Sequence, residues 1–326
     1  MKLKLIILIL FAGLNANAQV KDTLVRKLDS LNKKTDSLGY QNNNTDPDAY
    51  NRRTRITASS YFVLLWSNYK QQFTAPFHIT KDGWKTTGAF GVLTGALAVV
   101  DKPVQKWALR AKNSSNIASK ASNWITNTGG VYESVTLAAL GTYGFVFKKE
   151  KMKTTTFLAS QAYLTSAAVS SVLKTLSGRQ RPSVYSEDKV TANPTFKGPF
   201  ANLGKDKNGK KLNSSFPSGH TTVAFSAATV YAMEYKEIKW VPIVSYTAAS
   251  LISLSRLTEN RHWATDVLVG AALGHISGRQ VVNNYHRYAN IKTTPSPIPS
   301  KKKKAHFSYG VSYMDGALVG GIKINP

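Results

Sequence analysis

The stretch TTTFLASQAYLTSAAVSSVLKTLSGRQRP, residues 154–182, decides the fold. Residues 154–173 carry no charged side chain, and their mixture of Ala, Leu, Val, Ser and Thr shows no sustained alternation. That pattern reads as a helix rather than a half-buried strand. Lys174 closes it, and Gly178 and Pro182 stop it. Working outward, five further segments share its composition: 86–100, 134–147, 220–233, 240–255 and 267–278. Helices of this kind bury their apolar faces against one another. The expectation is an all-α, six-helix bundle over residues 55–290.

Three clusters at the ends of these helices carry chemistry. Lys174 is followed after six residues by Arg181-Pro182, so two cations sit where the long helix ends. Pro217-Ser218-Gly219-His220 stands directly before helix 220–233. Ser218 reads as an N-cap, Gly219 lets a ligand approach the backbone, and the free N–H groups of the helix start attract an oxyanion. Ser255-Arg256 is followed after five residues by His262 and, three residues further, by Asp266. His262 and Asp266 are four apart, so a carboxylate there can hold one imidazole proton and aim the other nitrogen outward. In an up-and-down bundle the three clusters meet at one end. Three cations match a tetrahedral dianion, and two histidines divide the roles of nucleophile and general acid. His78, His275, His286 and His306 have no such company and read as structural.

The pattern Lys174-x6-Arg181-Pro182, Pro217-Ser218-Gly219-His220, Ser255-Arg256-x5-His262-x3-Asp266 resembles the three-part signature of the type 2 phosphatidic acid phosphatases. That superfamily also includes bacterial class A acid phosphatases and vanadium haloperoxidases. The resemblance implies a metal-independent phosphatase with no cofactor. In it His262 attacks phosphorus to form a phosphohistidine, Asp266 orients it, and His220 protonates the leaving alkoxide and then activates water. Lys174, Arg181, Arg256, the Ser218 hydroxyl and the Gly219 amide hold the phosphate oxygens. The implied substrates are phosphate monoesters or lipid phosphates and pyrophosphates. The rival enzyme is a haloperoxidase with vanadate on His262, and the non-enzymatic rival is an envelope protein that only holds anionic lipids.

The chain has 326 residues, a net charge of +26 and no Cys. Disulfides, thiolate metal sites and cysteine nucleophiles are excluded. The charge excess points to an anionic partner or a solvated surface. Lys2 and Lys4, the apolar run Leu5 to Leu14, and Ala16-Asn17-Ala18 read as a secretory signal peptide over residues 1–18. Export to the periplasm or cell envelope argues against nucleic acid as a partner and for phosphate esters or anionic lipids. Most of the apolar segments have 12 to 16 uncharged residues. Twelve helical residues rise about 18 Å, against a hydrocarbon core of about 30 Å. The expectation is a periplasmic bundle, peripheral to the membrane, with an integral six-span bundle as the alternative.

Residues 19–54 read as a short helix and a polar linker, with Leu24, Leu28, Leu31 and Leu38 on the helix. The 183–216 connection carries Lys189, Lys197, Lys205, Lys207, Lys210 and Lys211 and reads as a lid, a recognition loop or a surface insertion. Residues 291–326 read as a Pro- and Lys-rich linker followed by a β-hairpin turning at Asp315-Gly316.

Overall fold

In a computed structural model of the chain the described residues are 27–28, 41–186, 188–205, 209, 211–293, 306–314 and 317–325. The expected signal peptide, most of the N-terminal helix, the linker at 294–305 and the hairpin's Asp315-Gly316 turn lie outside them. The described chain is mostly helical: α1 (Ala58–Thr74), α2 (Lys81–Leu97), α3 (Asp101–Asn113), α4 (Asn116–Val146), α5 (Glu150–Ser177), α6 (Gly219–Glu234), α7 (Trp240–Thr258) and α8 (Ala264–Thr293). At the C-terminus β1 (His306–Met314) pairs antiparallel with β2 (Ala317–Asn325), with Tyr309 opposite Ile322.

α6 is the central helix and packs against α5, α7 and α8. Its small residues Thr221, Thr222, Ala224, Ser226 and Ala228 are all buried. Opposite them α8 presents Gly270, Gly274 and Gly278, one per turn. A Cβ on Gly274 would lie 2.2 Å from the Thr222 carbonyl oxygen, so the two backbones touch with no room for a side chain. Small residues one turn apart permit this close helix approach. The approach brings the N-termini of α6 and α8 side by side.

The largest apolar cluster lies toward the opposite end, where Tyr50, Leu64, Leu158, Val230, Val281 and Tyr285 meet. A second cluster joins Leu109 of α3, Val190 and Ala192 of the 183–216 connection, and Trp263. Val190 and Ala192 therefore anchor that connection to the bundle. Asn260 also ties it down, donating to the carbonyls of Ser186 and Lys189 at 3.2 and 3.3 Å.

Two helices depart from the six expected. α1 buries Ser60, Ser67, Asn68 and Gln71 around Leu64, and Asn68 donates to Gln161 of α5 at 3.0 Å. Its inward face is polar, so apolar periodicity does not reveal it, while Phe62 and Trp66 are 66% and 62% exposed. α3 is short and rich in Lys, Arg and Asp, and it buries only Asp101, Gln105, Ala108 and Leu109. α4 and α8 also run well beyond 134–147 and 267–278, because polar residues such as Asn284 continue the buried face of α8. No described helix is long and apolar enough to cross a membrane.

Candidate active site

The site begins at the end of α5. Gly178 caps the helix at φ +53°, its N–H returning to the Lys174 carbonyl at 3.0 Å. Only glycine suits this left-handed position, and a Cβ would stand 2.2 Å from the Gly198 carbonyl oxygen. The chain leaving the cap places Arg179 inward and Arg181 toward a cavity of about 240 Å³. Arg181, His220, Arg256, Arg261 and His262 line that cavity.

Asp266, in the first turn of α8, is fully buried. Its Oδ2 accepts the Ser215 hydroxyl at 2.5 Å and the Trp263 amide at 2.8 Å. Its Oδ1 accepts Arg179 at 2.5 Å. Burial alone would raise this carboxyl. The His262 imidazole, the Arg179 guanidinium and the Ser215 hydroxyl outweigh burial and hold it below the usual carboxylate range.

His262 departs from the expected geometry. Its Nδ1 lies 2.6 Å from the Ser215 carbonyl oxygen but 3.8 Å from Asp266 Oδ2. A carbonyl can only accept, so Nδ1 carries the proton and Nε2 keeps its lone pair. The backbone of residue 215 fixes the tautomer. Asp266 stands one step back as a charge beside the ring and reaches the same loop through the Ser215 hydroxyl. Burial lowers His262 to about 3, Lys174 and Arg181 push in the same direction, and Asp266 opposes them. Burial followed by Arg256, Lys174 and Arg181 lowers His220 to about 4. Both imidazoles are neutral at neutral pH while the pocket is empty.

Of the eight sequence-derived residues, Arg181, His220, Arg256 and His262 line the cavity directly. Lys174 stands beside it and donates to the carbonyls of Ser214, at 3.1 Å, and Pro217. Burial, then the Arg181 charge, lowers its pKa to about 7. Gly219 opens α6 with Lys174 Cε 3.5 Å from where its Cβ would be. Ser218 occupies the N-cap position without making the expected side-chain cap. Its hydroxyl accepts from Thr221 at 2.9 Å instead, and its N–H donates to the Asp266 carbonyl at 3.0 Å. The second of these bonds ties the start of α6 to the start of α8.

Sequence reasoning missed four participants. Arg261 immediately precedes His262 and reads as a solvated cation, yet it lines the cavity. Ser215 acts through both its carbonyl and its hydroxyl, and neither leaves a mark in the sequence. Arg179, two residues before Arg181, is 1% exposed and donates to Asp266 Oδ1, to Thr265 Oγ1 at 2.8 Å and to Asp101 Oδ2 at 2.6 Å. Asp101, at the start of α3, has no local signature at all. Among the described residues no group of three His, Asp or Glu side chains is placed to hold a metal ion.

A helical bundle that gathers two histidines, a buried carboxylate and several cations at one end has the makings of an oxyanion-handling site. Residues 155–289 match the family model of the PAP2 superfamily. The resemblance read from the three motifs is borne out at that level. The chain is similar to the lipid A 1-phosphatase of Porphyromonas gingivalis (strain ATCC 33277), 42% identical over 87 residues. That match covers 25% of this chain and 20% of the relative, so the chain spans one fifth of the length of the curated relative it matches. Two solved structures are also similar. The crystal structure of Aquifex aeolicus LpxE gives a TM-score of 0.41 at 24% identity, covering 56% of this chain and 94% of that one. That of the transmembrane PAP2-type phosphatidylglycerolphosphate phosphatase from Bacillus subtilis gives 0.40 at 19% identity, covering 68% and 92%.

Proposed function

We propose that the protein is a metal-independent phosphatase that hydrolyses lipid phosphates or related phosphate monoesters in the bacterial envelope through a phosphohistidine on His262. The observation that carries this reading is the 2.6 Å bond from His262 Nδ1 to the Ser215 carbonyl. It leaves the Nε2 lone pair for a cavity flanked by Arg181, Arg256, Arg261 and His220. Nε2 attacks phosphorus, the P–O bond to the leaving group breaks, and the imidazole ring becomes positively charged beside Asp266. His220, protonated once a phosphate dianion offsets the cations around it, gives its proton to the leaving alkoxide. The neutral His220 then takes a proton from water as the water oxygen attacks phosphorus. The P–N bond breaks, and inorganic phosphate departs. The guanidinium groups and the amides at the start of α6 meet charge as it develops on the phosphoryl oxygens.

The lipid A 1-phosphatase from P. gingivalis supports a lipid phosphate as the substrate class. Exposed Phe62, Trp66, Trp84, Leu93, Trp240 and Ile243, large apolar side chains each more than half exposed, support contact with a membrane surface. A phosphate-release panel with lipid and water-soluble esters tests the proposal. Turnover that survives EDTA, is blocked by vanadate and disappears in His262→Ala is expected. Undiminished turnover in purified His262→Ala would overturn it, and bromide oxidation by peroxide without phosphate release would favour the vanadate enzyme.

A further inference from the structure

Behind Asp266, on the side away from the cavity, lies a second buried ionic group that the mechanism above does not use. Arg179 divides its guanidinium between two carboxylates, one nitrogen to Asp266 and the other to Asp101. Asp101 in turn accepts the Thr265 amide at 2.9 Å and the Thr265 hydroxyl at 2.6 Å. The guanidinium carbon lies 4.9 Å from the centre of the Phe196 ring and 6.0 Å from that of Phe216. Arg179 Nε has no hydrogen-bond partner although it is buried. Leaving a buried N–H unpaired is unfavourable, so the two carboxylates determine this placement. Arg179 does not line the cavity, and it meets Asp266 at the oxygen opposite the one nearest His262.

We propose that Arg179 and Asp101 are positioning residues for the reaction at His262. They hold the Asp266 carboxylate in one place behind the imidazole, so that its charge is available when the ring becomes cationic. This inference rests on the phosphatase reading and deepens it. Two elements distant in sequence meet at the Arg179 guanidinium. Asp101 comes from α3, and Arg179 follows the left-handed cap of α5. Through Thr265 the same pair also fixes the first turn of α8, which carries Asp266. Neither residue touches substrate. Removing Arg179 would leave the buried carboxylates of Asp101 and Asp266 without the cation between them, and Asp266 would relieve this by rotating or by taking a proton. The other charged groups facing this centre are Lys174 from α5, Arg181 from the connection after it, and His220 from α6. Arg256 from α7 and Arg261 after it complete the ring. The three arginines line the cavity, and Lys174 is held by the carbonyls of Ser214 and Pro217, so none replaces Arg179 at Oδ1.

The test uses the full chain with Arg179→Gln, Arg179→Lys and Asp101→Asn. It reads kcat, KM and the pH dependence of kcat on a soluble phosphomonoester, and it follows the His262 ring by ¹⁵N NMR. Arg179→Gln should lower kcat by about a hundredfold while KM changes by less than about threefold, because the phosphate-holding cations are untouched. Its acidic limb should move up by about one pH unit or more, as Asp266 now titrates above the usual carboxylate range. Arg179→Lys should recover about tenfold of the loss by restoring one charge. The His262 resonances of Arg179→Gln should show a titration step, absent from the unsubstituted protein, as Asp266 protonates. An acidic limb and a His262 titration that do not move in any of the three variants would overturn the proposal, as would a uniform loss of activity at every pH. The NMR arm judges it even where no substrate turns over. Absence of phosphate release by the unsubstituted protein, with the NMR step present, would fault only the phosphatase reading.

Discussion

Binding of a doubly charged tetrahedral anion should carry a proton into the site. In the empty pocket burial and three cations lower His220 to about 4. At an effective dielectric near 20 and a separation of about 4 Å, each unit of negative charge favours the imidazolium by about 4 kcal/mol, or about three pKa units. Even half that effect from a dianion lifts His220 to about neutrality. Between its empty and occupied values affinity should therefore strengthen by about tenfold for each unit fall in pH. Inorganic sulfate is a suitable probe because it stays doubly charged throughout this range. Calorimetric titration at pH 6.0 in two buffers of different ionisation heat counts the protons taken up. The expected uptake is about one per sulfate, falling by about that amount in His220→Gln. Lys174, lowered to about 7, should add a second, smaller uptake at pH 7 to 8 that Lys174→Met removes. Sulfate binding with no proton uptake at pH 6.0, or uptake unchanged in His220→Gln, would refute the electrostatic reasoning.

Gly178→Ala puts a methyl group against the Gly198 carbonyl at a left-handed position, and it should lower stability by about 2 kcal/mol or more. Because Arg179 and Arg181 follow directly, kcat should fall with it, and equal kcat per folded molecule in a thermal-melt and kinetics comparison would contradict this. Acid should destabilise the fold through His262. An unfolded histidine takes its proton near 6.5, whereas folded His262 resists to about 3. Between these values the unfolded chain binds more protons, so stability is fully present above 6.5 and is lost as pH falls through the window, by about 1.4 kcal/mol per unit. Asp266, held low, acts in the same direction. Melting temperatures from pH 7 to 4 should fall steeply in the unsubstituted protein and less steeply in His262→Gln.

The parts of the molecule legible in the sequence are those where chemistry is local. The long uncharged run before Lys174 marks α5, and the spacing of His262 and Asp266 reports a helix start because both lie within one turn of it. Small residues at 220–233 mark α6 for the same reason. The hidden parts depend on distance or on the backbone. α1 turns a polar face inward to Gln161 and Asn284, so hydrophobic periodicity is silent there. Asp101 reaches Thr265 and Arg179 across 164 and 78 positions, with nothing in its neighbours to single it out. The expected partner of the His262 proton was Asp266, since an i, i+4 pair shares a face. The Ser215 carbonyl takes the proton because Asp266 is drawn to Arg179, the Trp263 amide and the Ser215 hydroxyl. A carbonyl is present at every residue, so no sequence pattern distinguishes this one.

The central claim is that Nε2 of His262 bonds to phosphorus. It is tested most directly by quenching turnover in alkali, where a phosphoramidate survives, and locating the phosphoryl group by mass spectrometry and ³¹P NMR. Phosphate on His262 is expected in the unsubstituted protein, and it should accumulate further in His220→Gln with an aryl phosphate whose leaving group departs without a proton, where only water activation is lost. A fully active enzyme that yields no phosphorylated His262 under these conditions, or carries the phosphate on another residue, would contradict it.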